Sequence, residues 1–413
     1  MLYLGIDVGK QWHEAALLDE HGTVQWRLRF AATRAGFAEL AAQLGALPPD
    51  NVMVGLEATG SYWLTVHAWL ARWQAGTTGT LTVLNPLQTR AFRNANLRGT
   101  KTDRIDAVAI ARLLRWTGTT LSAHTRPDDR QAAAREISRV RTEMIELRAR
   151  QLVQLHAVLD RTFPEFATAF ADLGSPSALA VLSRWPTPAT LAQARLATIT
   201  RVLREASRGH LGEAKAETLR TLARESVGVS DPHDAAAIAI RAMIAHLEHL
   251  AEQARTLGTQ LDTLLAAETE TQALLASIPG LGRESVRTWL AEAPPITYFA
   301  GQDGAEHLVA HVGLDAQLKQ SGRSAGKVRM SKRGNRYLRR AIMLAAESAA
   351  RTDPQCRAIL AKQRAKGKHY RVAVSHVARK LLHIIYGVLT HQRPYTLPAT
   401  YVTPAPSIAE IGA

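Results

Sequence analysis

Five short runs of aliphatic and β-branched residues fall within the first 84 positions of the chain: Leu2–Val8, Glu14–Leu18, Thr23–Phe30, Asn51–Leu56 and Thr80–Leu84. Their length and composition are those of strands. Ala-rich stretches with helical character, Arg34–Leu44 and Tyr62–Trp73, separate the third run from the fourth and the fourth from the fifth. Three strands in succession, then alternating helix and strand, predict a mixed sheet with antiparallel hairpins at one edge. From Thr102 the pattern DRIDAVAIARLLRW is helical. Residues 1–125 therefore read as an α/β domain.

The strand signal then stops, so the fold class is α/β plus all-α. Residues 126–272 read as a helical, coiled-coil region. Ile137, Val140, Met144 and Leu147, then Leu152, Leu155 and Leu159, keep helical spacing with one phase slip. A cleaner run, Ile240, Met243, Leu247, Leu250, Ala254, Leu257, Leu261 and Leu264, alternates steps of three and four. That is an a/d seam, which serves equally as intramolecular core or as a contact between protomers. Pro164, Pro176, Pro186 and Pro188 punctuate the stretch between the two runs, which carries helix candidates at Leu191–Ser207 and Ala214–Arg224. Residues 273–395 read as a mainly helical domain opening on SIPGLGRESVRTWLAEA, a turn-to-helix that can offer backbone N–H groups to a phosphate or be a plain tight turn. The Pro- and Ala-rich residues 396–413 are expected to be poorly ordered.

Asp7 closes the first strand run in LYLGIDVGK, and Glu57 follows the fourth in VMVGLEATG. Asp103 and Asp106 stand three apart in KTDRIDA, a spacing that puts both on one helix face. Separated elements that deliver carboxylates to one place make an oxygen cage for a hard divalent cation. Mg²⁺ prefers such ligands, keeps several waters and shares its sites with substrate phosphates. The bland alternative, caps and surface ion pairs, explains isolated acids better than four in this order.

The chain carries 51 Lys and Arg against 36 Asp and Glu, a formal net charge of +15. Such an imbalance suits a polyanionic partner, because phosphate neutralisation releases condensed counterions. The charge is unevenly placed. Ser321–Arg340, SGRSAGKVRMSKRGNRYLRR, holds eight cations and no acid, and no acid occurs between Pro354 and Thr400. A charge run is usually a solvated face. One this one-sided, laced with Gly322, Gly326 and Gly334, reads as a phosphate-contact surface. The candidate contacts are Arg323, Lys327, Arg329, Lys332, Arg333, Asn335, Arg336, Arg339 and Arg340, with Lys366, Lys368 and Arg371 farther on. Ser321, Ser324 and Ser331 are candidate nucleophiles on chemistry alone, since nearby cations stabilise an alkoxide and an anionic transition state.

The single cysteine, Cys356, excludes an intrachain disulfide and a Cys-rich zinc site, and reads as a small buried hydrophobe. Trp63, Trp73 and Trp116 read as packing, Asn85 and Pro86 as a turn, and His311 and His376 as structural. The start lacks a signal-peptide pattern, and no uninterrupted apolar stretch reaches membrane-spanning length, so no membrane partner is expected.

At both ends the chain resembles a known family. GIDVGK, GLEATG, LNPLQTRAF and LRGTKTDRIDA, followed by SIPGLG, HVGLDAQLKQSG and SKRGNRYLRRA, resemble the DEDD transposases of the insertion sequence 110 family, which include Piv-like DNA invertases and bridge-RNA-guided recombinases. The resemblance covers roughly residues 1–125 and 273–390. It implies an RNase H-like (RuvC-type) first domain, with Asp7, Glu57, Asp103 and Asp106 as the DEDD tetrad holding Mg²⁺, two ions in the usual site. It implies a C-terminal transposase domain whose catalytic serine, in the SG pair after the GL motif, is Ser321; Ala316 stands where the family commonly has proline. It further implies DNA as substrate (element ends and target), a structured noncoding guide RNA, a homo-oligomer (dimer or tetramer), and residence in the prokaryotic cytoplasm or nucleoid. The expected reaction is site-specific recombination through a 5′-phosphoserine. A RuvC-like nuclease that activates water, and a non-catalytic nucleic-acid-binding scaffold, are the alternatives.

Overall fold

The computed structural model describes residues 1–45, 47–58, 60, 62–84, 86, 89–90, 92, 103–118, 129–229, 233–318 and 328–401. The chain divides into two compact units, Met1–Arg126 and Pro127–Ala413.

The first unit is built on a five-stranded sheet in the order β3-β2-β1-β4-β5, with β1 Leu2–Val8, β2 Trp12–Leu18, β3 Val24–Ala31, β4 Val52–Glu57 and β5 Thr80–Leu84. β1, β2 and β3 pair antiparallel, whereas β4 joins β1 and β5 joins β4 in parallel. The expected mixed sheet is therefore present. Helices α1 (Arg34–Leu44) and α2 (Trp63–Trp73) supply the two crossovers. Ile6, Val8, Leu17, Phe30, Phe37, Leu40, Val66 and Leu70 form one core on that side. The helix α3 (Asp103–Thr117) packs on the opposite face, where Ala107, Val108 and Ala111 meet Ala16 and Leu18.

Two glycines set how closely α3 approaches. A Cβ on Gly5 would lie 2.2 Å from the Ala107 carbonyl oxygen and 2.5 Å from the Ala111 nitrogen, and one on Gly55 would lie 2.6 Å from Leu114 Cδ1. Gly5 has thus given up a side chain so that the α3 backbone can sit directly on the sheet, and Gly55 makes room for the Leu114 side chain. Trp116, near the end of α3, departs from its expected packing role. It is 77 % exposed, and its ring lies 6.0 Å from that of Phe92.

The second unit is helical apart from a two-stranded hairpin. Its long helices α4 (Asp129–Thr162) and α10 (Ala235–Leu264) pack together. Arg130 reaches the Leu264 carbonyl, Arg141 the Ala254 carbonyl, and Gln151 pairs with His246, so the two run antiparallel within one chain. The apolar seam on α10 is therefore used inside the protomer: Ile240, Leu247, Leu250 and Leu261 are buried. Ile244 and Gly258 are buried as well, beside rather than on the expected a/d positions.

The segment between the long helices packs with both of them around a second core that includes Leu155, Leu159, Ile240 and Leu247. The short helix α5 (Phe166–Ala169), α6 (Pro176–Arg184), α7 (Pro188–Ala192), α8 (Leu196–Ala206) and α9 (Glu213–Arg224) close around Phe163, Phe166, Leu182, Ile199, Leu203 and Leu219. The single helix expected over Leu191–Ser207 is two. A reciprocal Thr187–Thr190 capping box starts α7, and an extended Arg195 interrupts the chain before α8.

The remaining elements are α11 (Thr269–Ala276), α12 (Arg283–Glu292), α13 (Gly304–Val312), strands β6 (Ala316–Leu318) and β7 (Val328–Met330), then α14 (Arg336–Thr352), α15 (Pro354–Ala365) and α16 (Tyr370–His391). They share a core of Leu308, Val312, Leu338, Ile342, Val377, Leu381 and Ile385. By length and composition α16 passes as a membrane span, but half of its apolar window is buried inside this core. Beyond α16, Tyr395 donates its backbone N–H to Ser277 Oγ at 2.9 Å and its hydroxyl to Asp353 at 2.7 Å, while residues 402–413 lie outside the described residues.

Candidate functional site

In the first unit, strand register decides which acids share a face. Gly5 pairs with Gly55 and Ile6 with Leu56 on the parallel strands β1 and β4, and Asp7 and Glu57 are the next residue of each. Side chains alternate along a strand, so Asp7 lies on the face of Gly5, and Glu57 on the face of Gly55. That is the face covered by α3. On α3, Asp106 is 6 % exposed and directly precedes Ala107, whose carbonyl abuts Gly5. Asp7, Glu57 and Asp106 thus share the layer between sheet and α3. Asp103 is the first residue of α3; its side chain lies outside the described residues.

Two residues of this region were not singled out from sequence. Thr89, in the LNPLQTRAF stretch, is 2 % exposed and donates its hydroxyl to Glu57 Oε2 at 2.5 Å, which fixes one carboxylate oxygen. Glu14 pairs directly with Asp7 across the antiparallel strands and is 9 % exposed, with Arg29 at 3.5 Å. Directly opposed cross-strand residues project to the same face, so Glu14 extends the acidic row from β4 through β1 to β2. The signal for Glu14 was its position two residues before Ala16, on the alternation that puts Ala16 and Leu18 under α3.

An all-carboxylate donor set suits Mg²⁺ by hardness. Among the described residues, no group of three or more Asp, Glu, His or Cys is arranged so that it could hold a metal ion.

In the second unit, β6 and β7 form an antiparallel hairpin with Ala316 opposite Met330 and Leu318 opposite Val328. Ser321, Ser324, Arg323 and Lys327 lie outside the described residues. The stem of the hairpin is described. Gly313 ends α13 in the left-handed conformation at φ +77°, and the Lys332 N–H donates to its carbonyl at 3.2 Å. The Ser331 N–H donates to the Asp315 carbonyl at 2.9 Å, and the Ser331 hydroxyl donates to the Asp315 carboxylate.

The basic residues divide into two sets. Arg329, Lys332, Arg333, Arg336, Lys366 and Arg371 are exposed and available to a polyanion. Asn335, Arg339 and Arg340 are employed within the fold. Asn335 caps α14, its Oδ1 accepting from the N–H groups of Tyr337 and Leu338, and its Nδ2 donates to Glu292 Oε2 at 2.7 Å. Arg339 donates to the Val312 carbonyl at 3.0 Å, and Arg340 lies 3.4 Å from Glu146. Lys368 Nζ is 2.9 Å from His376 Nε2. Burial, then the charges of Lys368, Arg379 and Lys366, hold that imidazole below its ordinary range, so it is the acceptor of the pair.

The Pro279–Gly282 turn has a packing explanation as well. Gly280 has φ +93°, and a Cβ there would lie 2.4 Å from the Ala349 nitrogen of α14. The glycine therefore serves close contact between the turn and α14.

The sequence patterns of two related families match this chain in order. The pattern of the IS110 DEDD transposases, described as transposase, matches residues 4–164. The pattern described as transposase of the IS116/IS110/IS902 family matches residues 272–361. An uncharacterized 43.6 kDa protein of insertion element IS110 from Streptomyces coelicolor is 26% identical over 94% of either chain. An uncharacterized 42 kDa protein of insertion element IS900 from Mycobacterium paratuberculosis is 25% identical over 97% of this chain and 98% of its own. A pilin gene-inverting protein from Moraxella lacunata is 32% identical over 112 residues, 27% of this chain and 33% of its own. With both family patterns in sequence order and near full-length similarity to insertion-element proteins, the chain belongs to the insertion sequence 110 family of transposases.

Proposed function

We propose that this transposase is a site-specific DNA recombinase that cuts and rejoins strands through a 5′-phosphoserine on Ser321. The observation that carries the proposal is the register of the first unit. Asp7 and Glu57 lie side by side near the carboxyl ends of adjacent parallel strands, and Asp106 is buried on α3, which covers the same face. The strand order β3-β2-β1-β4-β5, with its antiparallel edge and two parallel crossovers, supports an RNase H-like first domain.

Asp7, Glu57, Asp103 and Asp106 would hold Mg²⁺, with substrate phosphate oxygens completing the coordination. Bound there, the ions supply charge stabilisation at the phosphoryl group and ease ionisation of the attacking hydroxyl. The Ser321 Oγ attacks phosphorus as its hydroxyl loses a proton. The Oγ–P bond forms, the P–O3′ bond breaks, and a 3′-hydroxyl is released. Attack of a new 3′-hydroxyl on the phosphoserine reverses these bond changes and frees the enzyme. Conservation of bond energy in the covalent intermediate allows rejoining without an external energy source.

Exposed Arg329, Lys332, Arg333, Arg336, Lys366 and Arg371 would grip phosphates of DNA and of a structured guide RNA, acting in the cytoplasm or nucleoid as a homo-oligomer. Similarity to a pilin gene-inverting protein supports the recombinase reading. Ser321→Ala should abolish the covalent protein–DNA adduct and leave nucleic-acid binding intact. Adduct that persists in this variant refutes the serine assignment and leaves a hydrolytic nuclease as the reading to pursue. Sequencing RNA that co-purifies with the protein tests the guide.

A further inference from the structure

We infer that Glu292 is a positioning residue for the β6–β7 hairpin, acting through Asn335; the inference rests on the proposed role of the serine-bearing segment that this hairpin carries. Glu292 closes α12, and its side chain is fully buried. Arg139 of α4 grips it with two parallel bonds, Nε to Oε1 at 2.7 Å and Nη2 to Oε2 at 2.9 Å. Asn335 Nδ2 donates to Oε2 at 2.7 Å from a third direction. Arg135, one turn earlier on α4, donates to the carbonyls of Ala291 and Glu292, the last of α12.

Asn335 has no remaining freedom. Its Oδ1 caps α14, and its backbone N–H donates to the His311 carbonyl at 2.8 Å. A Cβ on the preceding Gly334 would lie 2.1 Å from that same carbonyl. The two legs of the hairpin therefore meet at one point, the end of α13 against the start of α14, and Glu292 locks that point to α4 and α12. Tyr337 completes the enclosure, with Arg139 5.0 Å and Arg336 4.6 Å above its ring. The carboxylate holds the Arg139 guanidinium above its ordinary range, while burial and the neighbouring Arg139 act against Arg135.

A purely structural junction at this depth is made more cheaply by apolar side chains, because desolvating a carboxylate is costly even when it is paired. What the charged node adds is direction. Two bonds from a planar guanidinium and one from a cap amide fix the orientation of the α14 start and of β7, which precedes it in the chain.

The test uses the full-length protein with Glu292→Gln, Asn335→Asp and the double variant. Glu292→Gln turns one acceptor oxygen into an N–H₂ that opposes a donor of Arg139 or Asn335, and the amides of Ser331, Lys332 and Asn335 should exchange hydrogen about tenfold faster while those of α16 stay protected. The rate of protein–DNA adduct formation should fall about a hundredfold, the cost of a misplaced reacting group, at DNA affinity within about twofold of wild type. In the double variant the carboxylate introduced at position 335 accepts from the amide introduced at position 292 and still caps α14, while Arg139 keeps only the bond to the amide oxygen, so exchange and adduct rate should both recover in part. Unchanged exchange at the three amides in Glu292→Gln overturns the inference, as does a double variant no better than the single one. Faster exchange throughout α16 also overturns it, since Glu292 would then only hold the core together. Absence of adduct in the wild type refutes the phosphoserine chemistry instead, and the exchange data still decide the role of Glu292.

Discussion

The two units bury charge in opposite ways. In the first, the strand register gathers carboxylates: Glu57, Asp7 and Glu14 stand in a row across three neighbouring strands, with Asp106 on the helix that covers them. In the second, one carboxylate, Glu292, is enclosed by donors from Arg139 and Asn335. Like charges directly opposed across strands cost stability. A carboxylate met by a guanidinium fork and an amide is held in one geometry. On the proposed function the first arrangement is a receptor for cations that arrive with the substrate, and the second is a fixed joint. The contrast predicts that neutralising an acid in the row removes activity without harming the fold, whereas neutralising the joint disturbs geometry.

The largest effect should come from Asp7→Asn. Strand cleavage should fall by about three orders of magnitude, on the scale of removing a group that stabilises developing charge. Thermal stability should stay close to that of wild type, since Asn matches Asp in size and keeps one carbonyl oxygen as an acceptor. Cleavage measured on a supercoiled substrate with Mg²⁺, beside a melting curve, checks both. A variant that loses activity only by unfolding erases the contrast between receptor and joint.

Gly5→Ala attacks the frame of the receptor. The added methyl would sit 2.2 Å from a backbone oxygen and 2.5 Å from a backbone nitrogen of α3, where no flexible side chain can yield. The first unit should lose about 3 kcal/mol or more, read by denaturant unfolding, and cleavage should fall with it. Retained stability would mean that α3 does not need to lie so close to the sheet.

How far the sequence exposed these two arrangements follows from the range of the interactions. The strands β1 and β5 and the helix α1 were legible to the residue, since runs of β-branched and aliphatic residues and helix propensity are local. The helical character of the second unit was legible for the same reason. Glu14 was not, because its membership in the acidic row depends on pairing with Asp7 across a hairpin. The Glu292 joint was hidden by distance along the chain: its partners lie 153 and 43 residues away. Asn335 was drawn toward nucleic acid by its basic neighbours, yet its amide is spent on a cap and on Glu292. The α10 seam showed an apolar stripe without showing its partner, which the structure supplies as α4 of the same chain.

The same contrast can be sharpened among the basic residues. Lys332→Ala and Arg371→Ala remove exposed cations, so each should lower the slope of log affinity against log salt by about one and leave stability nearly unchanged. Asn335→Ala should do the reverse. Loss of a cap costs about 1–2 kcal/mol, and the salt slope should stay where it was. Binding titrations at several salt concentrations, paired with unfolding curves, separate the two classes. A changed slope in Asn335→Ala returns that residue to the interface.

The smallest effect concerns Cys356, which belongs to neither arrangement. Burial first, then the Asp353 carboxylate, pushes its thiol up to about 12 from an ordinary value of 9.0. Well below pH 9 the thiol is protonated whether the chain is folded or not, so it contributes no pH dependence there. Between pH 9 and 12 the unfolded chain releases the proton and the folded chain keeps it, so stability falls as pH rises. At pH 10 the loss from this one group is about 1.4 kcal/mol relative to pH 8. Cys356→Ala removes that component, so the pH 8 to pH 10 difference in unfolding free energy should shrink by the same amount. The protonated, buried thiol should also resist iodoacetamide at pH 8 until denaturant is added. Rapid alkylation of the native protein would show that the α15 start opens more readily than its Asp353 cap and Tyr395 hydroxyl contact imply.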